Sequence, residues 1–225
     1  MGLSLITYDV AMARWEPNAR ERLERAALAL FAENGYDATT VAQIADRAGL
    51  TKSTFFRHFA DKREVLFGGQ EVLTEAFTTA IGDAPPTATA ADCLTAALEA
   101  VEVVFTPQRH ELALQRRDVI AAHSELQERE LLKMARLGLA TADALRARGT
   151  DDITARLAAE LGMLAFSTAF ARWATPGNEE PFAPIAHTAL RELQDRAAAL
   201  GAATGAQVSG GERFSTAAIR LAGRD

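Results

Sequence analysis

The sequence predicts an all-α protein with two parts, a small N-terminal head of three helices in a helix-turn-helix arrangement and a C-terminal helical bundle that dimerises. Apolar residues recur three and four positions apart along the chain, and no stretch alternates as a strand would. The Gly- and Pro-rich stretch at 82–86 separates the two parts. We therefore assign residues 13–67 to the head, 83–203 to the bundle and 204–225, rich in Gly, Ala and Ser, to a flexible tail.

Composition excludes several classes of protein. The single cysteine, Cys93, rules out a disulfide framework and a Cys-type metal cluster, so we expect no metal and no cofactor. No run approaches 18 apolar residues, so we expect no membrane span and a cytoplasmic protein. Met12 resembles a natural start, so residues 1–11 are expected to be either an extension or disordered.

The distribution of charge matters more than the net charge of −6. Residues 13–67 carry nine Lys or Arg and eight Asp or Glu, so the negative excess lies in the remainder of the chain. A nearly neutral head on an acidic body can bind DNA if its cations cluster on one face, and the acidic body would then favour one docking orientation.

The first helix is predicted from the helix-compatible start at Glu16-Pro17 to the stop at Gly35, with Tyr36 packed behind it. Its apolar stripe consists of Leu23, Ala26, Ala27, Leu30 and Phe31.

Two short helices joined by a turn follow. Thr39 or Thr40 can cap the first, which runs to Ala48, because a hydroxyl can accept from first-turn amides. Gly49 makes the turn, and Thr51 caps a second helix over 52–58.

The second helix presents an outward set of side chains that is short, polar and cationic, while Phe55 and Phe59 face inward. Such a surface suits base edges and phosphates in a major groove. Asp61 is predicted to cap the next helix, and Lys62 lies beside that cap, where it could help to hold a phosphate. The outward set is Lys52, Ser53, Thr54, Arg57 and His58.

These residues resemble a known family. The segment ARERLERAALALFAENGYDATTVAQIADRAGLTKSTFFRHFADKREVLF is similar to the N-terminal domain of TetR-type transcriptional regulators, over about residues 13–67. The resemblance implies phosphate contacts by Thr40 and Lys62. The recognition-helix positions that it implies are Thr51, Lys52, Ser53, Thr54, Arg57 and His58.

One position departs from the family pattern. The family usually has tyrosine, whose phenol commonly bonds a phosphate, where this chain has Phe56. Phe56 cannot form that bond, and Arg57 is a candidate to compensate. As alternatives, the three phenylalanines Phe55, Phe56 and Phe59 could form a base-stacking platform or a core, and Phe56 stays open between them. His58 could instead be a partly buried structural residue, and Lys52 and Arg57 could be ordinary solvated charges.

The body is predicted to be helical throughout. A long fourth helix should begin at Asp61 and run through Phe77 to the Gly- and Pro-rich stretch. The later helices are predicted over 87–105, 107–123, 124–148, 152–174 and 181–200.

The helix over 152–174 is apolar on two sides and must be covered on both. One side can pack in the core, and the other is expected to meet a two-fold partner; the alternative is that both lie in one core. The first face comprises Ile153, Leu157, Leu161 and Leu164, and the second Met163, Phe166, Phe170 and Trp173.

Arg116 and His123 share an apolar stripe with Val119, which could line an effector pocket; alternatively, Arg116 pairs with a carboxylate. The family resemblance implies a homodimer that binds a palindromic operator, mostly represses, and is released by a hydrophobic small molecule. The body is similar to regulators linked to mycofactocin-type systems, which implies an acyl-CoA-like effector. The candidate lining is Phe105, Arg116, Val119, His123, Met134, Met163, Phe166 and Phe170.

Enzymatic motifs are missing from the sequence: it has no H-E-x-x-H, no G-x-S-x-G and no phosphate-binding glycine loop. We therefore expect a regulator and not an enzyme. Two alternatives stay open, a constitutive or architectural DNA-binding dimer without an effector and an enzyme with a borrowed head.

Overall fold

The structure, a computed structural model, describes the backbone of residues 19–209 and the side chains of residues 19–200. Over this range the chain is all-α, as predicted, with no strand. The predicted start at Glu16-Pro17, the extension over 1–11 and residues 210–225 of the tail lie outside the described residues. The helices are α1 (Ala19–Asn34), α2 (Val41–Arg47), α3 (Lys52–His58), α4 (Glu64–Phe67), α5 (Gln70–Asp83), α6 (Ala90–Ala100), α7 (His110–Ala121), α8 (Ser124–Ala147), α9 (Asp152–Trp173) and α10 (Phe182–Ser209).

The described residues form two compact units, and α8 has residues in both. The first unit contains residues 19–70 and 111–130, and the second contains 71–110 and 131–209. Residues 111–130 were predicted to belong to the bundle. These residues group with the head because Ile120 and Leu126 are buried in its hydrophobic core.

The first unit is built on α1, α2 and α3. Leu23 from α1, Ile44 from α2 and Phe55 from α3 have no exposed surface and meet in one apolar core. Burying such side chains contributes roughly 1.5–3 kcal/mol each relative to leaving them in water. The short helices are therefore held mainly by this core, because seven-residue helices are not stable alone.

Several predicted helix boundaries were wrong, including the start of the fourth helix, which is Glu64 and not Asp61, and the start of the helix predicted from Pro107, where a 3₁₀ turn precedes α7. The long fourth helix is broken into α4 and α5 at Gly68 and Gly69, where the Arg20 guanidinium donates to the Gly68 carbonyl. The helix over 87–105 shortens to α6, because Thr89 caps it through Asp92 and a 3₁₀ turn follows it. The last helix continues to Ser209, six residues into the expected tail.

The second unit is organised by α6, α9 and α10. At Gly162 of α9, a Cβ atom would lie 2.7 Å from Leu94 Cδ2 of α6, so glycine permits the close approach. The Arg148 guanidinium donates to the carbonyls of Gly82, Ala84 and Pro85, which holds the loop after α5 against the end of α8.

Helix α9 is long and apolar enough, with a mean hydropathy of 1.2, to cross a membrane by length and composition alone. A single helix of this kind is weak evidence for a span, because core helices have the same composition. Met163, Phe166 and Trp173 of α9 are buried within the second unit, which accounts for one of its two apolar faces.

Candidate nucleic-acid interface

Helix α2 begins in a closed capping box. The Thr40 hydroxyl accepts from the Gln43 amide at 3.3 Å, and the Gln43 side-chain oxygen accepts from the Thr40 amide at 2.8 Å. This arrangement satisfies two amides at the start of α2. Thr40 is exposed, and in this structure its hydroxyl serves the cap.

The turn between α2 and α3 is fixed by a glycine conformation, a backbone hydrogen bond and an arginine side chain. Gly49 has φ +65°, a left-handed conformation that glycine adopts without strain. The Leu50 amide donates to Ala45 O at 2.8 Å, and Arg22 of α1 donates to Ala48 O through two nitrogens at 3.1 and 2.7 Å. The sequence does not predict this role of Arg22, since nothing in the periodicity of α1 marks it as a cap of another helix.

Helix α3 is oriented by its own cap and its aromatic side. The Thr51 hydroxyl accepts from the Thr54 amide at 3.1 Å, while Phe55 and Phe59 are buried in the core, as predicted. This leaves the opposite side of α3 in solvent. The exposed residues on it are Thr51, Lys52, Ser53, Phe56 and Arg57.

The two remaining recognition-helix candidates are only partly accessible. Thr54 is half-buried, and its hydroxyl lies 3.0 Å from that of Thr51. His58 is half-buried, and its Nε2 is enclosed without a hydrogen-bond partner in the described structure. In this conformation a DNA contact by His58 would have to use the other side of the ring.

Most cationic side chains in the described part of the first unit are paired with another group of the protein, and a few are not. Arg25 pairs with Glu21, Arg47 pairs with Glu33, and most other arginines are engaged in the same way. Across the part of the first unit that the structure describes, Lys52 and Arg57 are the two cationic side chains without a protein partner. Both lie on the exposed side of α3.

Lys62 is held by the backbone of the head. Its ammonium group donates to Tyr36 O at 2.7 Å and to Asp37 O and Thr39 O at 3.2 Å each, and it lies 4.3 Å from the centre of the Tyr36 ring. Three donors thus meet three carbonyls, all in the link before α2. A phosphate contact by Lys62 would have to replace one of these bonds.

Asp61 was predicted to cap the helix itself, but α4 begins at Glu64 with Arg63 at its N-cap position and no side-chain cap, so Asp61 caps the turn before it. Its carboxylate accepts from the amides of Arg63 and Glu64 at 2.8 and 3.1 Å. Hydrogen bonds from the Arg63 guanidinium to Asp61 and then to Glu125 of α8 raise the pKa of Arg63 above its usual value. The Arg63 guanidinium is therefore paired with carboxylates of the protein itself.

Tyr36 and His123 join the corner between α7 and α8 to the link before α2. Their rings meet edge to face at 5.1 Å, His123 Nδ1 lies 2.8 Å from Val119 O, and Nε2 lies 3.9 Å from an Asp37 carboxylate oxygen. Burial, the largest cause, raises the pKa of Tyr36 to about 12.

Arg116 pairs within the first unit, the alternative that the sequence analysis had left open. Its guanidinium donates to Leu66 O at 2.5 Å and to a Glu130 carboxylate oxygen at 2.5 Å, and it lies 5.4 Å from the centre of the Phe67 ring. Arg129 forms an ion pair with Glu64. Of the proposed pocket residues, Arg116, Val119 and His123 belong to this unit, and Val119 packs against its core.

The other proposed pocket residues belong to the second unit, where three of them meet in an aromatic cluster. Phe105 lies 5.7 Å from Phe166 and 5.8 Å from Phe170, measured between ring centres. Trp173 joins this cluster, and Phe182 stacks on Phe105 at 4.4 Å and 21°. Phe182 was not predicted as a member of this cluster, because it lies at the start of α10 outside the apolar stripes of the sequence.

Met134 and Met163 lie on α8 and α9 of the second unit. Met163 is buried, whereas Met134 is half-buried. A Cβ atom on Gly138, one turn along α8 from Met134, would lie 3.3 Å from Met163 Cγ, so the two helices approach closely there.

A separate open cavity of about 540 Å³ lies beside the loop between α9 and α10, and none of the proposed pocket residues lines it. Arg172, at its edge, is bound to Glu192 at 2.7 Å. The full lining is Arg172, Thr175, Pro176, Gly177, Asn178, Glu180, Ile185 and Thr188.

The two faces of α9 differ in exposure. Ile153, Leu157 and Leu164 are 79%, 69% and 51% exposed, whereas Met163 and Phe166 on the other face are buried. One apolar face of this helix therefore has no cover within the described chain.

Comparison with known proteins gives a consistent result. Residues 24–67 match the model for bacterial regulatory proteins of the tetR family. The chain is 47% identical over 62 residues to the HTH-type transcriptional regulator TcmR of Streptomyces glaucescens, covering 28% of this chain and 27% of that protein. It is 52% identical over 46 residues to the HTH-type transcriptional repressor KstR2 of Mycobacterium tuberculosis, covering 20% and 22%. The match thus spans about a quarter of these relatives.

A solved structure extends the likeness to the fold of most of the chain. The transcriptional regulator FadR from Bacillus subtilis, in complex with stearoyl-CoA, has a TM-score of 0.55, with 20% identity over 77% of this chain and 96% of that chain. At this identity the likeness shows the fold alone. The predicted family resemblance is confirmed, and the family is one of transcriptional regulators, not enzymes.

Proposed function

Because the chain belongs to the tetR family of bacterial regulatory proteins, we propose that it is a cytoplasmic regulator that binds a palindromic operator as a homodimer and is released by a small hydrophobic or acyl-type effector. In this proposal the head over 13–67 reads DNA and the bundle over 83–203 pairs the protomers and binds the effector.

The exposed side of α3 is the observation that carries the proposal. Lys52 and Arg57 are the cations that the described first unit leaves without a carboxylate or carbonyl, and Ser53 lies beside Lys52. Holding charged groups unpaired on one face is useful when a polyanion will pair with them. Arginine and lysine can donate to guanine O6 and N7 or to phosphates, and serine can donate or accept at several base edges.

A dimer is needed because one short reading helix contacts too few base pairs for a specific site. We infer that the exposed face of α9 supplies the interface. Burying Ile153, Leu157 and Leu164 against the same face of a partner would remove them from water on both protomers, with α10 beside them in a four-helix arrangement.

The effector site that we propose lies at the aromatic cluster of the second unit. Phe105 is the member on which access depends, because it is half-buried and lies between two 3₁₀ turns instead of within an α-helix. The stearoyl-CoA bound to the Bacillus subtilis neighbour makes an acyl-CoA the first effector to test. Movement of Phe105 away from Phe182 would open an apolar path for an acyl chain.

Effector binding and DNA binding must weaken each other by the same factor if the protein is a ligand-released repressor. The effector must therefore bind the DNA-free form more tightly than the DNA-bound form. A constitutive dimer without an effector would show no such coupling.

Selection of DNA from a random pool by the purified protein tests the reading function. We expect an enriched inverted repeat whose half-sites lie about 34–36 Å apart, or a small multiple of that distance. Enrichment of a single half-site would argue against the dimer, and a pool without a motif would argue against specific reading.

Thermal unfolding with stearoyl-CoA, and with coenzyme A as the matched control, tests the effector. We expect stearoyl-CoA to raise the melting temperature and to release the selected DNA, and Phe105→Ala to change that response. If no acyl-CoA stabilises the protein or weakens DNA binding, the constitutive dimer becomes the better account.

A further inference from the structure

The reading helix exposes a phenylalanine that its neighbours do not cover. Phe56 is 56% exposed, and within the described residues of the first unit it is the one large apolar side chain that is exposed. Isolated apolar residues on a surface need no explanation by themselves. The position of this one is informative, because it lies among the exposed polar and cationic residues of α3.

Phe56 shares the solvent face of α3 with Lys52 and Ser53. It follows them by four and three positions, which places the three side chains on one side of a helix. A surface that carries Lys52 and Ser53 into a major groove therefore carries the Phe56 ring with it.

One side of the Phe56 ring contacts the core of the first unit. Phe56 packs edge to face on Phe55, with ring centres 5.5 Å apart and planes at 84°, and Phe55 is fully buried in the core. This contact restricts the ring on one side, and a restricted side chain loses less freedom when it meets a surface.

The chemistry of the ring limits what it can recognise. Phe56 has no hydrogen-bond donor, so it cannot hold a phosphate or pair with a base edge. The apolar feature of the major groove that differs between base pairs is the C5-methyl group of thymine. The deoxyribose is the other apolar partner nearby, but it is the same in every nucleotide.

We propose, on the basis that the protein reads DNA as described above, that Phe56 is a specificity-determining residue that contacts a thymine methyl group in each half-site. The departure of this chain from the family's tyrosine then exchanges a sequence-independent phosphate bond for a sequence-dependent apolar contact.

A methyl scan of the selected operator tests this role. Each thymine is replaced in turn by deoxyuridine, which lacks only the methyl group, and affinity is measured for the wild-type protein and for Phe56→Ala. We expect one thymine per half-site where the loss of the methyl weakens wild-type binding about fourfold. Phe56→Ala should bind thymine and deoxyuridine sites equally.

Additional bases and protein variants identify the origin of the methyl effect. Cytosine at the sensitive position should bind weakly and 5-methylcytosine more tightly, because the methyl group returns. Val103→Ala removes exposed apolar surface from the second unit and should leave the methyl effect unchanged. Phe56→Leu keeps an apolar side chain, should retain part of the effect and guards against a folding defect, which thermal unfolding would reveal.

The outcomes that would overturn the proposal are distinct. A flat scan for the wild-type protein, or a methyl effect that persists in Phe56→Ala, excludes the contact. Equal weakening of thymine and deoxyuridine sites by Phe56→Ala would place the ring on the deoxyribose and refute base reading. Failure to enrich any operator would refute the proposed function itself, together with this role.

Discussion

Lys62 holds residues 36–39, the link that precedes α2 of the helix-turn-helix. Its replacement should therefore destabilise this link, whether or not Lys62 also contacts a phosphate. In Lys62→Met the three bonds to Tyr36 O, Asp37 O and Thr39 O are lost, together with the contact to the Tyr36 ring. A hydrogen bond with one charged partner contributes about 1.5–3 kcal/mol net. Since one partly exposed ammonium serves all three carbonyls, we expect a loss of about 2 kcal/mol, near the value of a single strong bond.

Hydrogen exchange measures this loss locally. A destabilisation of about 2 kcal/mol corresponds to roughly 30-fold faster exchange of the amides of α2, whose cap follows Thr39 directly. The matched control is Lys52→Met, which removes a cation without a protein partner and should leave exchange unchanged. Unchanged exchange in Lys62→Met with weakened DNA binding would refute the structural role and support the phosphate contact.

Three further outcomes are expected. Leu157→Glu should weaken self-association at least about 100-fold in sedimentation experiments, because it buries a charge in an apolar interface, while Val103→Glu should not; equal effects would contradict the interface. Gly49→Ala should cost about 1–2 kcal/mol in denaturant unfolding because φ is +65°, with Gly69→Ala nearly neutral as its control. In alkaline titration one tyrosine should ionise with a pKa of about 12, and Tyr36→Phe should remove that step. The pKa of Tyr36 in the folded protein lies above the ordinary value of 10. The neutral phenol therefore contributes stability below pH 10, and this contribution is lost as the pH rises through 12.

The head was predictable because its signals are local. Thr40, Gly49 and Thr51 act within one turn of their own positions. The stop at Gly49 and the cap at Thr51 occur where they were predicted, and the cap of α2 is Thr40, one of the two threonines predicted for it. Phe55 and Phe59 follow from helical spacing, which identifies an inward side without knowledge of the rest of the fold.

Long-range contacts were not predictable in this way. Arg22 caps a helix 26 positions away, and Lys62 reaches carbonyls 23 to 26 positions away. Lys62 was predicted only as a phosphate contact and Arg22 was not singled out, because their partners are backbone carbonyls that carry no sequence signal. The grouping of 111–130 with the head could not be predicted for the same reason. The apolar character of Leu126 predicts that it is buried, but not in which core.

The faces of α9 lie between these cases. Spacing identified two apolar sides, but only packing decides which is covered, and the structure leaves Ile153 and Leu157 exposed while it buries Phe166. The break at Gly68 was missed because an apolar pattern continued across it, although adjacent glycines lower helix stability by about 1 kcal/mol each.

The central claim is that the unpaired cations of α3 meet the phosphates and bases of an operator. Its most direct test is the salt dependence of affinity for the selected site, measured for the wild-type protein, for Arg57→Gln and for the control Arg25→Gln, whose arginine is paired with Glu21. If Arg57 meets a phosphate in each half-site, its loss from a dimer should reduce the slope of log affinity against log salt by about 2, while the control keeps the wild-type slope. If Arg57 reads a base instead, the slope stays but affinity falls selectively for one base pair. Unchanged slope, affinity and base preference in Arg57→Gln would contradict the account.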